Sequence, residues 1–441
     1  MTQFADAMKE FQDHPTLEPF KGSLQADLLI EALKVTGSAS IRRRKLPAEQ
    51  VLWLTIGMAL YTNCSIQQIV DRLNLTINGK VVSSTVSDAR KRLGPEPLEY
   101  LFKKYTQACM DLKENDLWKG LKLMGIDGTM LRVQDTEENE KYFGKPGSSR
   151  AGAAYPQVRL VATMDLNQRM IQNVNFGPLS KGENTLASEM IDVLPDNSLC
   201  LMDRGFMSFA HFYKVVGPEK NRHFLCRART NAKFKIEKIL PDGTTLAKLQ
   251  ATPSAQKKTP GMPKTMTVRV IEYKVEGHGL IRLFTSLVDD KKYPGRELAT
   301  LYHQRWELEI AFDELKTDML NRKESLRSKS VEGVEQEIWS LLLVYNLVRR
   351  EMALIAHSHS TSASKLSFKA SLVFINDFFI IHSQDTATGL LSKHLKALRE
   401  EIWRYRLPPR RSERSSPRHV KIKMSSYPKK PPNQRLKGSC A

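Results

Sequence analysis

The sequence predicts a mixed α/β (α+β) chain, with a sheet-bearing core set between helical ends. Three observations carry this. Apolar residues recur at three- and four-residue spacing before residue 118 and again after residue 300. From 119 to 228 the texture changes to short apolar runs closed by Asp, Asn and Gly, the pattern of strands and turns. From 229 to 299, β-prone runs alternate with turns such as Pro241-Asp242-Gly243, which reads as a β-rich insertion. The expected division is a helical N-terminal domain over 1–118, a core over 119–228 and 300–360, the insertion over 229–299, a helical region over 361–403 and a basic tail over 404–441. With 441 residues, 41% of them apolar, the chain can bury cores of that number.

Taken in order, Leu24, Leu28, Leu29 and Leu33 give the first helical face. Arg42-Arg43-Arg44-Lys45 interrupts it, and residues 46–61 form a strongly apolar helix with Pro47 in a tolerated early position. Ser65 caps a short helix over 66–73. After Asn78-Gly79, Ser83 or Ser84 caps another, whose polar side holds Ser87, Arg90, Lys91 and Arg92. A short helix followed by a basic one resembles a helix-turn-helix module, with a longer connection than that motif uses. Arg90, Lys91 and Arg92 are thus either DNA-binding or a solvated basic face. Residues 121–126 are a strand ending at Asp127-Gly128-Thr129, and 134–150 read as a loop. Residues 158–164 and 170–176 make a hairpin. A helix over 180–193 precedes a buried strand over 199–202 that ends at Asp203-Arg204-Gly205, and 224–226 continue the sheet. Residues 302–316 and 331–356 are helices. The tail carries twelve Lys or Arg against Glu413 alone and is expected to be disordered when free.

A net charge of +20 calls for a polyanionic partner, most simply nucleic acid. Cys64, Cys109, Cys200, Cys226 and Cys440 are scattered with no C-x-x-C pair, which excludes a zinc module or a disulfide framework and predicts a reducing, cytoplasmic setting. No apolar run approaches the roughly 18 residues of a membrane span, and residues 1–11 are polar and acidic, unlike a secretion signal. There is no H-E-x-x-H, no phosphate loop and no G-x-S-x-G elbow. His211, His223 and His303 read as packing or surface residues.

Two features carry chemistry. Asp127 and Asp203 each close an apolar strand, where side chains of a mixed sheet project into a cleft; the alternative for each is a turn cap. The helix over 302–316 has Leu301, Leu308, Phe312 and Leu315 on one stripe, and beside it Tyr302, Arg305, Glu309 and Lys316 fall within about 60° of one another. Glu309 would be a third acid, with Asp313 its nearest rival, while Glu307 and Glu314 point away. Three carboxylates suit phosphodiester chemistry, because hard divalent ions about 3.5–4 Å apart can clamp the attacking and leaving oxygens. Arg305 and Lys316 would hold phosphates.

The spacing Tyr302-x2-Arg305-x3-Glu309-x6-Lys316 resembles the Y-(2)-R-(3)-E-(6)-K signature of bacterial transposases of the insertion sequence 4 type. The resemblance runs along nearly the whole chain, through Ile126-Asp127-Gly128, Tyr155-Pro156-Gln157-Val158, Leu201-Met202-Asp203 and Leu326-Arg327-Ser328-Lys329. It implies a ribonuclease-H-like mixed-sheet catalytic core interrupted by the β-rich insertion. It also implies that Asp127, Asp203 and Glu309 are catalytic and bind two divalent ions, usually Mg²⁺ with Mn²⁺ as a substitute. Tyr302, Arg305 and Lys316 would contact DNA. Trp306 is similar to an aromatic often found there, with stacking on a base and core packing as its alternatives, and Arg204 is a further phosphate candidate. The implied reaction is cut-and-paste transposition on double-stranded DNA, at terminal inverted repeats and target, by a homodimer associated with the bacterial nucleoid. A non-catalytic DNA binder and a nuclease without strand joining are the competing classes.

Overall fold

A computed structural model describes residues 26–39, 46–73, 82–110, 117–147, 155–217, 220–259, 261–274, 279–321, 325–382 and 390–408. Leu24, the 42–45 basic run, Asn78-Gly79, Cys440 and the tail beyond 408 lie outside them. The strands are β1 (Lys122–Arg132), β2 (Gln157–Asp165), β3 (Met170–Pro178), β4 (Ser198–Met202), β5 (Arg222–Arg227), β6 (Lys235–Ile239), β7 (Thr245–Gln250), β8 (Thr265–Lys274) and β9 (Leu280–Thr285). They form one sheet in the order β3-β2-β1-β4-β5-β9-β8-β7-β6.

The helices are α1 (Ala26–Val35), α2 (Ala48–Leu60), α3 (Ile66–Arg72), α4 (Ser83–Leu93), α5 (Glu96–Met110), α6 (Glu137–Phe143), α7 (Glu183–Asp192), α8 (Phe209–Val216), α9 (Pro253–Lys258), α10 (Gly295–Tyr302), α11 (Trp306–Asp313), α12 (Val331–Ser358), α13 (Phe368–His382) and α14 (Leu390–Arg404).

Strands β1, β4 and β5 are parallel neighbours, β2 runs antiparallel beside β1, and β3 runs antiparallel beside β2. That order and these directions are those of a ribonuclease-H-like core. The parallel centre is covered on both faces, so β4 is buried at every position and apolar from Leu199 to Met202. Because successive side chains alternate, Met124, Ile126, Cys200 and Met202 pack with Leu186 of α7 and Phe212 of α8, whereas Leu123, Leu199 and Leu201 join the core of α11 and α12. The insertion does not stand apart: β9 pairs with β5, so residues 235–285 extend the core sheet.

Helix α12 is buried along most of its length and joins the halves of the molecule. Asn346 donates to Thr106 Oγ1 of α5 at 3.0 Å and to the Ile171 carbonyl of β3 at 2.8 Å. Just before α12, Arg327 donates to the carbonyls of Tyr61, Thr62 and Cys64 behind α2.

Several expectations change. Ser65 does cap α3, with Gln68 completing a capping box. Neither Ser83 nor Ser84 caps α4; it starts at Ser83 after Val82, which makes no side-chain cap bond. The 134–150 loop contains α6, capped by Thr136, whose polar sequence hid a helix rich in first-turn acids. The 302–316 helix is composite: α10 passes through a 3-10 turn, His303–Arg305, into α11 and then a π-helical turn, Glu314–Met319. Among the described residues no helix is long and apolar enough to cross a membrane.

Candidate active site

Strand β1 is longer than expected, and Asp127 stands within it. Its parallel partner β4 ends at Met202, opposite Ile126, while pairing with β2 continues to Arg132. Asp127 is therefore the first β1 residue past the end of β4, and Asp203 is the first residue after it. The two aspartates meet at the carboxyl edge of the parallel strands, where ligands of such sheets bind. Asp127 accepts the Gly128 N–H at 2.8 Å. The Asp203 carboxylate accepts the Gly205 N–H, and the turn is held by Arg229, whose Nε and Nη2 donate to the carbonyls of Arg204 and Gly205 at 3.0 and 3.2 Å.

The third acid arrives through a close helix–strand contact. A Cβ on Gly125 would stand 2.5 Å from Leu308 Cδ1, so only glycine at that β1 position lets α11 settle this near. The apolar stripe of Leu301, Leu308, Phe312 and Leu315 is buried as expected. Glu309 then faces Asp127 across Arg305, whose Nη2 donates to Glu309 Oε1 at 2.7 Å and whose Nη1 lies 3.6 Å from Asp127 Oδ2. Burial pushes Asp127 up to about 6; the Gly128 N–H and Arg305 oppose that rise, and the charges of Asp203 and Glu309 add to it. Arg305 stays charged: burial would lower it, and its bond to Glu309 and the neighbouring Tyr302 and Asp127 more than offset that.

The other acids of the helix are engaged elsewhere. Glu307 pairs with Arg169, and Glu314 is a buried partner of both Arg169 and Arg349. Asp313 is exposed and accepts the Thr317 hydroxyl at 2.9 Å. It is Glu309 that shares Arg305 with Asp127.

The remaining candidates divide. Trp306 is 59% exposed, which removes core packing as its role. Arg204, Lys91 and Arg92 are exposed, and Lys316 is half-buried in the π turn. Tyr302 is buried: its hydroxyl donates to the Met202 carbonyl at 3.0 Å, bracing the strand end that carries Asp203. Arg90 does not face outward with Lys91 and Arg92. Its guanidinium donates to Gln336, Ser328 and the Gly333 carbonyl, each at 3.0 Å, because α4 packs that side against α12. Sequence reasoning missed Gly125 and Arg229. A glycine inside an apolar strand run was the available signal for the first; for the second there was none.

Residues 118–347 match the family model "Transposase DDE domain", and residues 15–103 match "Insertion element 4 transposase N-terminal". The chain is 34% identical over 414 residues to "Transposase InsG for insertion sequence element IS4" of Escherichia coli K12, covering 92% of each. The chain belongs to the insertion sequence 4 family of DDE transposases. This transposase is also 34% identical over 236 residues to "Putative transposase InsZ" of the same strain, covering 50% of this chain and 77% of that one. It is 23% identical over 333 residues to "Putative transposase for insertion sequence element IS4SA" of Synechocystis, covering 72% and 85%. Among solved structures it resembles a piggyBac transposase synaptic complex with hairpin DNA at a TM-score of 0.48 and 14% identity, over 90% of this chain and 86% of that one. As a DDE transposase the protein is a DNA-cleaving and strand-transferring enzyme that depends on divalent metal.

The donor set fits such an ion. All three acids offer oxygen only, the preference of a hard cation. A positive group already bridges two of them, since the Arg305 guanidinium reaches both Asp127 and Glu309. Among the described residues no three His, Cys, Asp or Glu side chains close around one point. For Asp127 and Glu309 to share an ion, Arg305 has to move from between them.

Proposed function

We propose that Asp127, Asp203 and Glu309 hold two divalent ions, Mg²⁺ in the cell and Mn²⁺ as a substitute, at which this transposase cuts the ends of its insertion sequence. The reading is carried by Arg305 joining Asp127 to Glu309 beside Asp203, so that an acid within β1, one just past the end of β4 and one on α11 act on a single place. Ions bound there would acidify an attacking water and neutralise charge on the phosphate. Arg305 exchanges its carboxylate partners for a DNA phosphate, which its planar fork fits. Lys316 and Arg204 add point charge, and the exposed ring of Trp306 stacks on a base. Tyr302 acts by bracing Met202 rather than by holding DNA. Lys91 and Arg92 grip the backbone of the terminal inverted repeats, and Arg90 supports them from behind.

The substrates are these repeats and a target duplex, bound by two copies of the chain at the bacterial nucleoid. The domains divide as 1–118 for DNA binding, 119–228 with 300–360 for catalysis, 229–299 as the insertion, 361–403 as a helical region and 404–441 as a basic tail. The test is strand cleavage on the terminal repeats by Asp127→Asn, Asp203→Asn and Glu309→Gln. Each is expected to abolish it while Asp313→Asn retains it; full cleavage by any of the first three removes that residue from the set.

A further inference from the structure

Arg169, in the turn between β2 and β3, is not part of the D-D-E set and is only 1% exposed. Its backbone stands in the left-handed region at φ 55°, where glycine or asparagine sits without the strain that a long side chain incurs. The turn is already closed by Asp165, which accepts the N–H groups of Asn167 and Gln168 at 3.0 and 3.1 Å. An arginine in such a place is explained by what its side chain reaches. Its Nε pairs with Glu307 and its Nη1 donates to Glu314 at 3.2 Å, so one guanidinium holds both ends of the segment that carries Glu309. Glu307 and Glu314 return to nearly the same side of a helix, and Glu309 stands about 200° round from Glu307. Pinning the one side therefore turns Glu309 toward the other, where Arg305 and Asp127 are. Glu314 is held from α12 as well: Tyr345 donates to it at 3.1 Å, and Arg349 pairs with the same oxygen. At Glu314 the helix widens into its π turn, with the Leu320 N–H on the Leu315 carbonyl, and such turns gather at functional sites. Fastening α11 to the core would need only one carboxylate; setting its rotation takes two.

We infer that Arg169 is a positioning residue for Glu309: by gripping Glu307 and Glu314 together, it fixes the rotation of α11 that presents the third carboxylate to the metal ions. It acts through the helix and not by touching an ion. The inference rests on the proposed role of Glu309 as a metal ligand. The contact of Leu308 with Gly125 sets how near α11 lies to β1, and Arg169 sets which way it faces. Losing Arg169 should therefore weaken ion binding through Glu309 and leave the two aspartates able to bind, as loss of a group that orients a ligand does.

The experiment is a Mn²⁺ titration of the full chain without DNA, followed by paramagnetic resonance of the free ion, on Arg169→Gln, Glu309→Gln and the double variant. Arg169→Gln should raise the half-saturating Mn²⁺ roughly tenfold. Arg169→Lys, which keeps the charge but loses the fork that reaches two carboxylates, should fall between it and the wild type. The double variant should bind no more weakly than Glu309→Gln, because a group that acts through Glu309 has nothing left to place. A merely structural Arg169 would lower the melting temperature and leave Mn²⁺ binding by the folded protein unchanged. That result, alongside weakened binding in Glu309→Gln, overturns the assignment of Arg169 alone, as do effects of the two substitutions that add. Unchanged binding in Glu309→Gln overturns the reading of Glu309 beneath it. If Arg169→Gln does not fold, Glu307→Gln decides: it removes one arm of the grip and leaves Glu314 with Arg169 and Arg349, so wild-type Mn²⁺ binding counts against the assignment.

Discussion

At the residue scale, Asp127 and Arg305 set opposite demands on one spot. The Asp127 carboxyl is raised from 3.8 to about 6, chiefly by burial, so the folded protein binds its proton more tightly than the unfolded chain does. Its effect on stability is nil below 3.8, where both states are protonated. It becomes a penalty as the unfolded carboxyl ionises, and the penalty is complete above about 6. Asp127→Asn should therefore stabilise the ion-free protein at pH 7.5 by up to ~3 kcal/mol, with the gain vanishing near pH 3.5, as thermal melts across pH would reveal. Metal affinity should fall as pH drops through about 6, since the ion then competes with a proton on Asp127. Arg305→Gln removes the internal competitor. Mn²⁺ titrations without DNA should show tighter binding, roughly tenfold if one charged hydrogen bond no longer has to break. Filter binding of terminal-repeat DNA should weaken in the same variant.

At the element scale, the segment from α10 to the π turn shows what the sequence could and could not reveal. Residues 302–316 were legible as an amphipathic stretch, and the stripe of Leu301, Leu308, Phe312 and Leu315 is buried as periodicity required. Its breaks were not legible, because 3-10 and π turns arise from tertiary partners: Glu314, the first π residue, is fixed by Arg169 from the β2–β3 turn and Arg349 from α12. Tyr302 looked like part of a polar ledge, and only the approach of β4 shows that its hydroxyl serves Met202. Asp127 was legible as an acid beside a turn-forming residue, but the turn was wrong, since Gly128 makes room within a strand. Glu314→Gln takes the carboxylate from buried Arg349 and leaves Arg169 with Glu307, and denaturant melts should show a loss of ~3–5 kcal/mol. Gly125→Ala should lift α11 off β1 at Leu308, and cleavage should fall far more than stability, because misplacement of about 1 Å is costly to catalysis.

At the scale of the whole molecule, the α/β core, the β-rich insertion and the flanking helices were all visible in residue texture. That the insertion shares the core sheet was not, because strand partners far apart leave no local mark. The basic face of α4 was visible too, but which of its cations faced inward depended on α12, and Arg90 belongs to the interior while Lys91 and Arg92 do not. Arg90→Ala should therefore lower thermal stability and leave the salt slope of DNA binding nearly intact. The Lys91→Ala, Arg92→Ala double variant should flatten the slope by about two phosphate contacts. Among the described residues, α4 is joined to α12 through Arg90, and α2 to the approach to α12 through Arg327, which ties the N-terminal helices to the helix packed on the sheet. On the function proposed above, with Lys91 and Arg92 gripping the repeats and the three acids cutting them, a protein tied together in this way works as a ruler. Base pairs inserted into a terminal repeat between grip and cut, each adding about 3.4 Å of duplex, should move the cut by the same number of positions relative to the old end.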